Sequence, residues 1–448
     1  MMVWILTLLL LPYIGAILYL LVGEVPIRRK VRRRRRRRRL IEPRLSQRTA
    51  VLADSYDACL EEVPNERQRD LMRLATRVSN SVVTRGNSVQ VSHDAERAFL
   101  SLGLAIEEAQ AHVHMEYYIF ADDETGRAMR DLLVKKAREG VEVRLLLDAV
   151  GSWSLSRAFV KSLKDGGVKV DFFLPWELTR RHFQLNCRNH RKLVVIDGRI
   201  GFLGSKNIAD EYLGRRKKLG PWRDTHLHVT GPCVTQLQEV FVEDWHFAHL
   251  EDLSDPRYFP EPALVGQQLV QIIPSGPDRE PGVLHQLLYA AVSDARRSVS
   301  FLTPYFVPDA PMLLALTSAA YRGVRVQVLL PSRSDHPLLL WAARSFYEEL
   351  LEAGVEILEY DHGMLHSKEV IVDGRWSMVG SANMDVRSFA INFELTSMLY
   401  GEDLARQLQS EFDELSRQAG HVTLDTVKAW GYRQRLAAGV ARLATPML

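Results

Sequence analysis

Cysteine is scarce in this chain of 448 residues: Cys59, Cys187 and Cys233 are odd in number, widely spaced and without a CxxC pair. That excludes a disulfide framework and a cysteine-based zinc knuckle, and reads as three reduced thiols in the cytosol. Charge is missing altogether from residues 1–23. Acidic side chains are missing from residues 28–39, where Arg28, Arg29, Lys30 and Arg32 to Arg39 make eleven of twelve positions basic. Removing those eleven from the 58 basic residues leaves 47 against 55 acidic ones, so a formal charge of +3 conceals a body of −8. A protein that tracks nucleic acid spreads cations over its body, because phosphate neutralisation supplies most of its affinity. This distribution argues against DNA or RNA as partner.

What is present is 46% hydrophobic and 25% charged, the composition of a globular protein with a full core. The uncharged residues 1–23, with Trp4, Tyr13 and Tyr19 among Leu, Ile and Val, are long enough to cross a hydrocarbon core of roughly 30 Å as a tilted helix. Pro12 and Gly15 are tolerated in such helices. A signal peptide would carry its charges before the apolar stretch, not after it. Arginines directly after the span hold that end in the cytoplasm, so everything from residue 24 onward is expected to be cytosolic. The arginine run itself is expected to be a disordered, solvated linker lying against anionic headgroups.

From about residue 95 the chain repeats itself. An apolar-periodic helix at 95–109 and a strand at 112–120 are followed by a helix and a strand at 141–147. The second copy has 284–295, 299–306, a helix and 324–330 in the same order. In each copy a helix stops at a glycine before a short strand, Gly167 before 168–170 and Gly354 before 355–357. Alternating strands and helices predict an α/β fold of two pseudo-symmetric domains, each a central mixed sheet flanked by helices, facing one another. The predicted organisation is a transmembrane helix at 1–23, a basic juxtamembrane and helical region at 24–90, a first domain at 91–259 and a second at 260–448. Residues 252–282, rich in Pro and Gly, read as the linker.

Each copy carries one motif. The first runs Asn189-His190-Arg191-Lys192, then Asp197-Gly198, then Gly204-Ser205-Lys206-Asn207. The second runs Leu365-His366-Ser367-Lys368, then Asp373-Gly374, then Gly380-Ser381-Ala382-Asn383. In both, His to Lys is two residues, His to Asp seven and Asp to Gly-Ser seven. At average usage such a register arises roughly once in a hundred million starting positions, so its presence twice is not chance. On a strand, a spacing of two puts His190 with Lys192 and His366 with Lys368 on one face. With Ser205, Asn207, Ser381 and Asn383 they predict a phosphate cradle built without a metal or other cofactor. A neutral imidazole attacks phosphorus while a protonated one supplies a proton to the leaving oxygen, which is why two halves are needed. The lysines offset charge on the equatorial oxygens. Each imidazole also needs a carboxylate to fix its tautomer; Asp224, 34 residues after His190, and Glu394, 28 after His366, are the candidates. Asp197 and Asp373 complete the catalytic motif, but at an odd offset they point away from the histidine and are expected in structural salt bridges. His112 and His114 alternate on a strand without a third metal ligand in view. Trp153, Trp176 and Trp245 read as packing or interfacial aromatics.

These residues resemble the phospholipase D superfamily and, within it, the bacterial cardiolipin synthases. The narrower likeness rests on the longer strings at 186–192, 220–226, 303–308 and 383–389, and on Leu11-Pro12-Tyr13-Ile14-Gly15 in the apolar segment. The resemblance implies that two phosphatidylglycerol molecules become cardiolipin and glycerol through a phosphohistidine, with no nucleotide, at an anionic membrane. It also implies His190 as nucleophile and His366 as acid and base. Members of that family often carry two N-terminal spans, where one is read here. A hydrolytic phospholipase D, a phosphatidyltransferase using a phosphatidylethanolamine donor or a serine acceptor, and a nuclease of the superfamily share the motif and stay open as alternatives. No residue pattern assigns an oligomeric state.

Overall fold

The computed structural model describes residues 12, 13, 15, 24–53, 56–175, 187–215, 220–280 and 282–445. The apolar segment 1–23 lies outside them but for three residues, and so does Trp176. Among the described residues no helix is long and apolar enough to cross a membrane.

The first half contributes β1 (Thr84–Ser92), β2 (His112–Tyr117), β3 (Glu142–Asp148), β4 (Lys169–Phe173), β5 (Leu193–Ile196), β6 (Ile200–Gly204), β7 (Trp222–Arg223) and β8 (His226–Thr230). The second contributes β9 (Gln268–Ser275), β10 (Ser298–Leu302), β11 (Arg325–Pro331), β12 (Glu356–Tyr360), β13 (Met364–Leu365), β14 (Glu369–Val372), β15 (Trp376–Gly380), β16 (Glu394–Tyr400) and β17 (Gly420–Val422). The strands predicted from the repeat fall within a few residues of these. Buried runs such as Leu145-Leu146-Leu147 and Val328-Leu329-Leu330 have neighbours on both faces, as central strands covered by helices require. The helix after β2 and the helix after β10 start alike: Asp123 accepts from Gly126 N–H, and Asp309 from Met312 N–H.

Fifteen strands form one sheet in the order β17-β12-β11-β10-β14-β15-β16-β9-β1-β8-β6-β5-β2-β3-β4. Outward from its middle, β9-β16-β15-β14-β10-β11-β12 mirrors β1-β8-β6-β5-β2-β3-β4, so the duplication is written into the strand order. The halves are joined edge to edge, because β1 pairs with β8 along Ser88 to Ser92 and with β9 through Thr84 and Asn87. The stretch expected as a linker thus contains β9, a central strand whose Val270, Ile272 and Ile273 are wholly buried and which runs through Pro274, opposite Leu395.

The arginine run is not a disordered linker. It belongs to α1 (Glu24–Ala53), which packs on α2 (Cys233–His249). Arg34, Arg38, Ile41 and Leu45 share a helical face at spacings of four, three and four, and that face turns to the body. Arg34 is 3% exposed; it pairs with Asp244 and, at 2.7 Å, with Asp278, and its guanidinium lies 4.4 Å from the Phe393 ring centre. Arg38 pairs with Glu243 at 3.0 Å. The basic run and the acidic body therefore neutralise one another in part, while Arg32, Arg33, Arg36 and Arg39 face outward. Two further helices matter below: α3 (Pro337–Arg344) and the C-terminal α4 (Tyr432–Ala444).

Candidate active site

The two motifs meet where the halves join. His190, Arg191 and Lys192 form an extended lead-in to β5, and His366, Ser367 and Lys368 a lead-in to β14, rather than lying within the strands. Each lead-in pairs with the opposite half. β13 runs parallel to β7, with Leu365 opposite Arg223, and Asn189 bridges Phe393 in the same sense. His366 N–H then donates to Arg223 carbonyl at 2.7 Å, and His190 N–H to Phe393 carbonyl at 2.9 Å. One residue further on, the register sets His366 beside Asp224 and His190 beside Glu394.

The carboxylates are accordingly exchanged between halves. His190 Nδ1 lies 3.0 and 3.1 Å from the Glu394 oxygens, and His366 Nδ1 lies 2.9 Å from Asp224. Asp224 and Glu394 are the candidates that the sequence offers, and each serves the histidine of the other half. An ionised carboxylate only accepts, so each Nδ1 carries its proton and each Nε2 keeps its lone pair. Both carboxylates are buried. Burial raises Asp224, but His366 and Lys368 outweigh it and bring the group down to about 2. Glu394 is lowered likewise, burial being overcome by His190 and Lys192.

Both imidazoles are held neutral. Burial brings His190 down to about 4, Glu394 opposing and Lys192 and Lys368 assisting; burial and then Lys368 lower His366, against Asp224. Lys368 Nζ donates to the His366 carbonyl at 2.6 Å and stands 3.1 Å from its Nε2. Lys192 Nζ donates to the His190 carbonyl at 2.6 Å and lies 5.4 Å from the Tyr118 ring centre. Burial brings Lys368 to about 8, with Asp224 and Glu394 opposing; burial, with help from Lys368, takes Lys192 well below the usual lysine value. Lys192 feels Asp224 and Lys368 feels Glu394, so the two half-sites share one electrostatic environment. His190 is the more open imidazole, at 13% against 6%.

The remaining predicted residues take varied positions. Ser205 and Ser381 are wholly buried and donate their hydroxyls to Asp224 and Glu394; they orient the carboxylates that orient the histidines. Asn207 accepts from Ile119 N–H at 3.1 Å and donates to the Tyr212 hydroxyl. Asn383 is buried, its Oδ1 without a hydrogen-bond partner among the described residues. Asp197 and Asp373 do point away from the histidines, yet the expected salt bridges are replaced by backbone caps. Asp197 accepts the N–H groups of Gln110, Ala111 and His112 at 2.7–2.8 Å, and Asp373 those of Arg296, Arg297 and Ser298 at 2.7–3.1 Å. Both sit in left-handed turns, φ 53° and 55°, a conformation Asp tolerates better than most residues. His112 and His114 are buried on Gln238, Trp245 is core and Trp153 is exposed.

An aromatic ring around the histidines was missed. Tyr118 stands edge-on to His190 at 5.0 Å, and Trp222 and Tyr212 flank His366 at 5.1 and 5.7 Å. Tyr305 meets His366 at 6.5 Å and donates to Asp335 at 2.8 Å. Trp222, two residues before Asp224 in one of the singled-out strings, carried the signal that could have found it.

Two like α/β units in one sheet, with the His-x-Lys segment of each held by a carboxylate of the other, define a phospholipase D-like protein. The family described as "Cardiolipin synthase, PLD-like domain" matches residues 103–245 and 288–416. A cardiolipin synthase of Geobacillus kaustophilus is 44% identical over 85% of this chain and 76% of its own length. One from Geobacillus sp. strain WCH70 is 40% identical over 99% and 88%. A phosphatidylserine synthase of Haemophilus influenzae, 14% identical, superposes with a TM-score of 0.64 over 85% of this chain and all of its own, a likeness of fold. The chain belongs to the PLD-like cardiolipin synthase family.

Proposed function

We propose that this chain is a cardiolipin synthase: it moves a phosphatidyl group from one phosphatidylglycerol to the terminal hydroxyl of another, releasing glycerol. The observation that carries the reading is the exchange of carboxylates: each half holds the other half's histidine at Nδ1, which turns both Nε2 atoms away from the carboxylates, that of His366 toward Lys368 at 3.1 Å. His190 attacks phosphorus with its Nε2 lone pair, the bond to the headgroup glycerol breaks, and that oxygen takes a proton from His366. The acceptor hydroxyl then returns a proton to His366 and attacks phosphorus, expelling His190. One phosphodiester replaces another, so no energy-rich co-substrate is consumed.

Burial and the lysines hold both imidazoles neutral, and the anionic phosphodiester supplies the charge that favours the imidazolium on His366. His190 is assigned as nucleophile because it is the more open and its lone pair is held available at neutral pH. Lys192 and Lys368 stabilise the crowded oxygens at phosphorus. Residues 1–23 would anchor the enzyme in the bacterial inner membrane, with the catalytic halves in the cytosol.

The test is product analysis on phosphatidylglycerol vesicles with peptide mapping of enzyme quenched in denaturant near neutral pH. Cardiolipin and glycerol in equal amounts, with the phosphatidyl group trapped on His190, are expected. Phosphatidic acid without cardiolipin would move the chain to hydrolysis, and trapping on His366 would reverse the two roles.

A further inference from the structure

Helix α4 is built the wrong way round for a globular protein. Its buried side is made of Ala438 and Ala441, while Tyr432, Leu436, Val440 and Leu443 are 79, 51, 56 and 73% exposed. Spaced by four, four and three, these four fall within about 80° of the helix circumference. A helix packed for its own fold turns its large apolar residues inward; here they form a continuous stripe facing out. The rim is cationic. At 3.6 residues per turn, Arg433 borders one edge of the stripe, and Arg435 and Arg442 the other. Residues 426–445 contain four basic side chains and no acidic one. Arg435 donates to the carbonyls of Trp430 and Lys428, which are neutral, and Arg442 meets Glu349 at 3.4 Å, so the rim stays positive.

The helix that carries the stripe is also linked through its packing to the candidate catalytic residues. Helix α4 packs on α3, with Trp341 against Trp430 and Arg442 stacked 4.2 Å from the Phe346 ring centre. Helix α3 begins directly after Asp335 and His336, the first of which holds the Tyr305 hydroxyl beside His366. Leu338 on α3 is itself 47% exposed. An apolar stripe between arginines is the pattern of a helix lying in the headgroup plane of an anionic bilayer.

We propose that α4 docks on an anionic lipid surface and holds the second-half wall of the pocket, lined by Tyr305 and His366, to the membrane from which the substrate is drawn. The draw of substrate rests on the function proposed above; the docking does not. The experiment uses the full chain with a nitroxide on Leu436→Cys or Leu443→Cys, the native cysteines all being buried, in phosphatidylcholine vesicles with and without one-third phosphatidylglycerol. In anionic vesicles the label is expected to collide more with oxygen than with a water-soluble nickel chelate, and the ratio to fall several-fold in pure phosphatidylcholine. A label open to the chelate in anionic vesicles, or a ratio indifferent to lipid charge, would overturn the proposal. So would spin–spin broadening that vanishes on dilution with unlabelled chain, which would put a second copy on this face. In parallel, Leu436→Glu with Leu443→Glu is expected to raise the apparent KM on anionic vesicles several-fold and leave turnover of dispersed short-chain phosphatidylglycerol unchanged. An unaltered KM overturns the proposal; a wild-type chain inactive on the dispersed lipid counts against the proposed function and leaves the spin-label result standing.

Discussion

Glu394 and Asp224 make the sharpest case at the scale of single residues. Each is buried, takes a serine hydroxyl from its own half and holds an imidazole of the other. Glu394→Gln keeps the shape but can present an N–H to Nδ1, favouring the wrong tautomer of His190; a fall in kcat of about 10²–10⁴-fold is expected, of the size seen for catalytic histidines that lose their carboxylate. Rapid-quench measurement of phosphoenzyme formation locates the effect, and an unimpaired burst would separate Glu394 from His190. The pH dependence follows from the two neutral imidazoles. His190 must be unprotonated to attack, so kcat/KM keeps its nucleophile down to about pH 4. His366 must be protonated to act as acid, so kcat/KM falls as pH rises through a value below the ordinary 6.5. Bound phosphodiester raises that value, so the basic limb of kcat lies at higher pH than the basic limb of kcat/KM; coincident limbs above pH 7 would contradict it. Asp197 is different in kind. Asp197→Ala takes the acceptor from the N–H groups of Gln110, Ala111 and His112 and puts alanine in a left-handed turn; it is expected to lower stability by about 1–3 kcal/mol, read from urea unfolding, with kcat of the folded fraction retained.

Among the elements, α1 shows how a charge run can be structural. Arg34→Ala leaves Asp244 and Asp278 buried without this cation, a loss of about 3–5 kcal/mol by the usual cost of breaking a buried pair. Arg36→Ala, on the outward side of the same helix, is expected within about 0.5 kcal/mol of wild type. Equal unfolding midpoints for the two variants would mean that α1 is not seated as described. Asp244 also pairs with Arg191, whose Nε donates to the Glu394 carbonyl at 3.0 Å. Seating of α1 therefore supports the very segment that carries His190. The spacing of Arg34, Arg38, Ile41 and Leu45 was present in the sequence, but an unbroken row of arginines has no apolar period to read, and their partners lie more than 200 residues away.

For the whole molecule, the central fact is one sheet running through both halves. β1 belongs to the strand ladders of both, and the carboxylates that hold the histidines are exchanged across the same seam, so the halves are joined by shared buried contacts. A single calorimetric unfolding transition that coincides with loss of turnover is expected. Two separated transitions would make the halves independent bodies and remove the seam as a source of rigidity for the site. The strand order also accounts for the fate of residues 252–282: Pro274 reads as a break but lies within β9, and the strand was hidden because a short apolar run does not announce that it completes a sheet.

The amino-acid order alone determined the duplication, the spacing of the two His-x-Lys motifs and the type of chemistry they can do, because these depend on local periodicity and on side-chain functional groups. It also picked out Asp224 and Glu394 as histidine partners. Tertiary structure alone decided which carboxylate serves which histidine, since that depends on pairing between segments 142 and 204 residues apart. It likewise decided that the serines hold carboxylates, that the arginine run is a clasp, and that α4 shows its large side chains outward. Each of these is a matter of what lies across a surface, and neighbours along a chain do not specify neighbours in space.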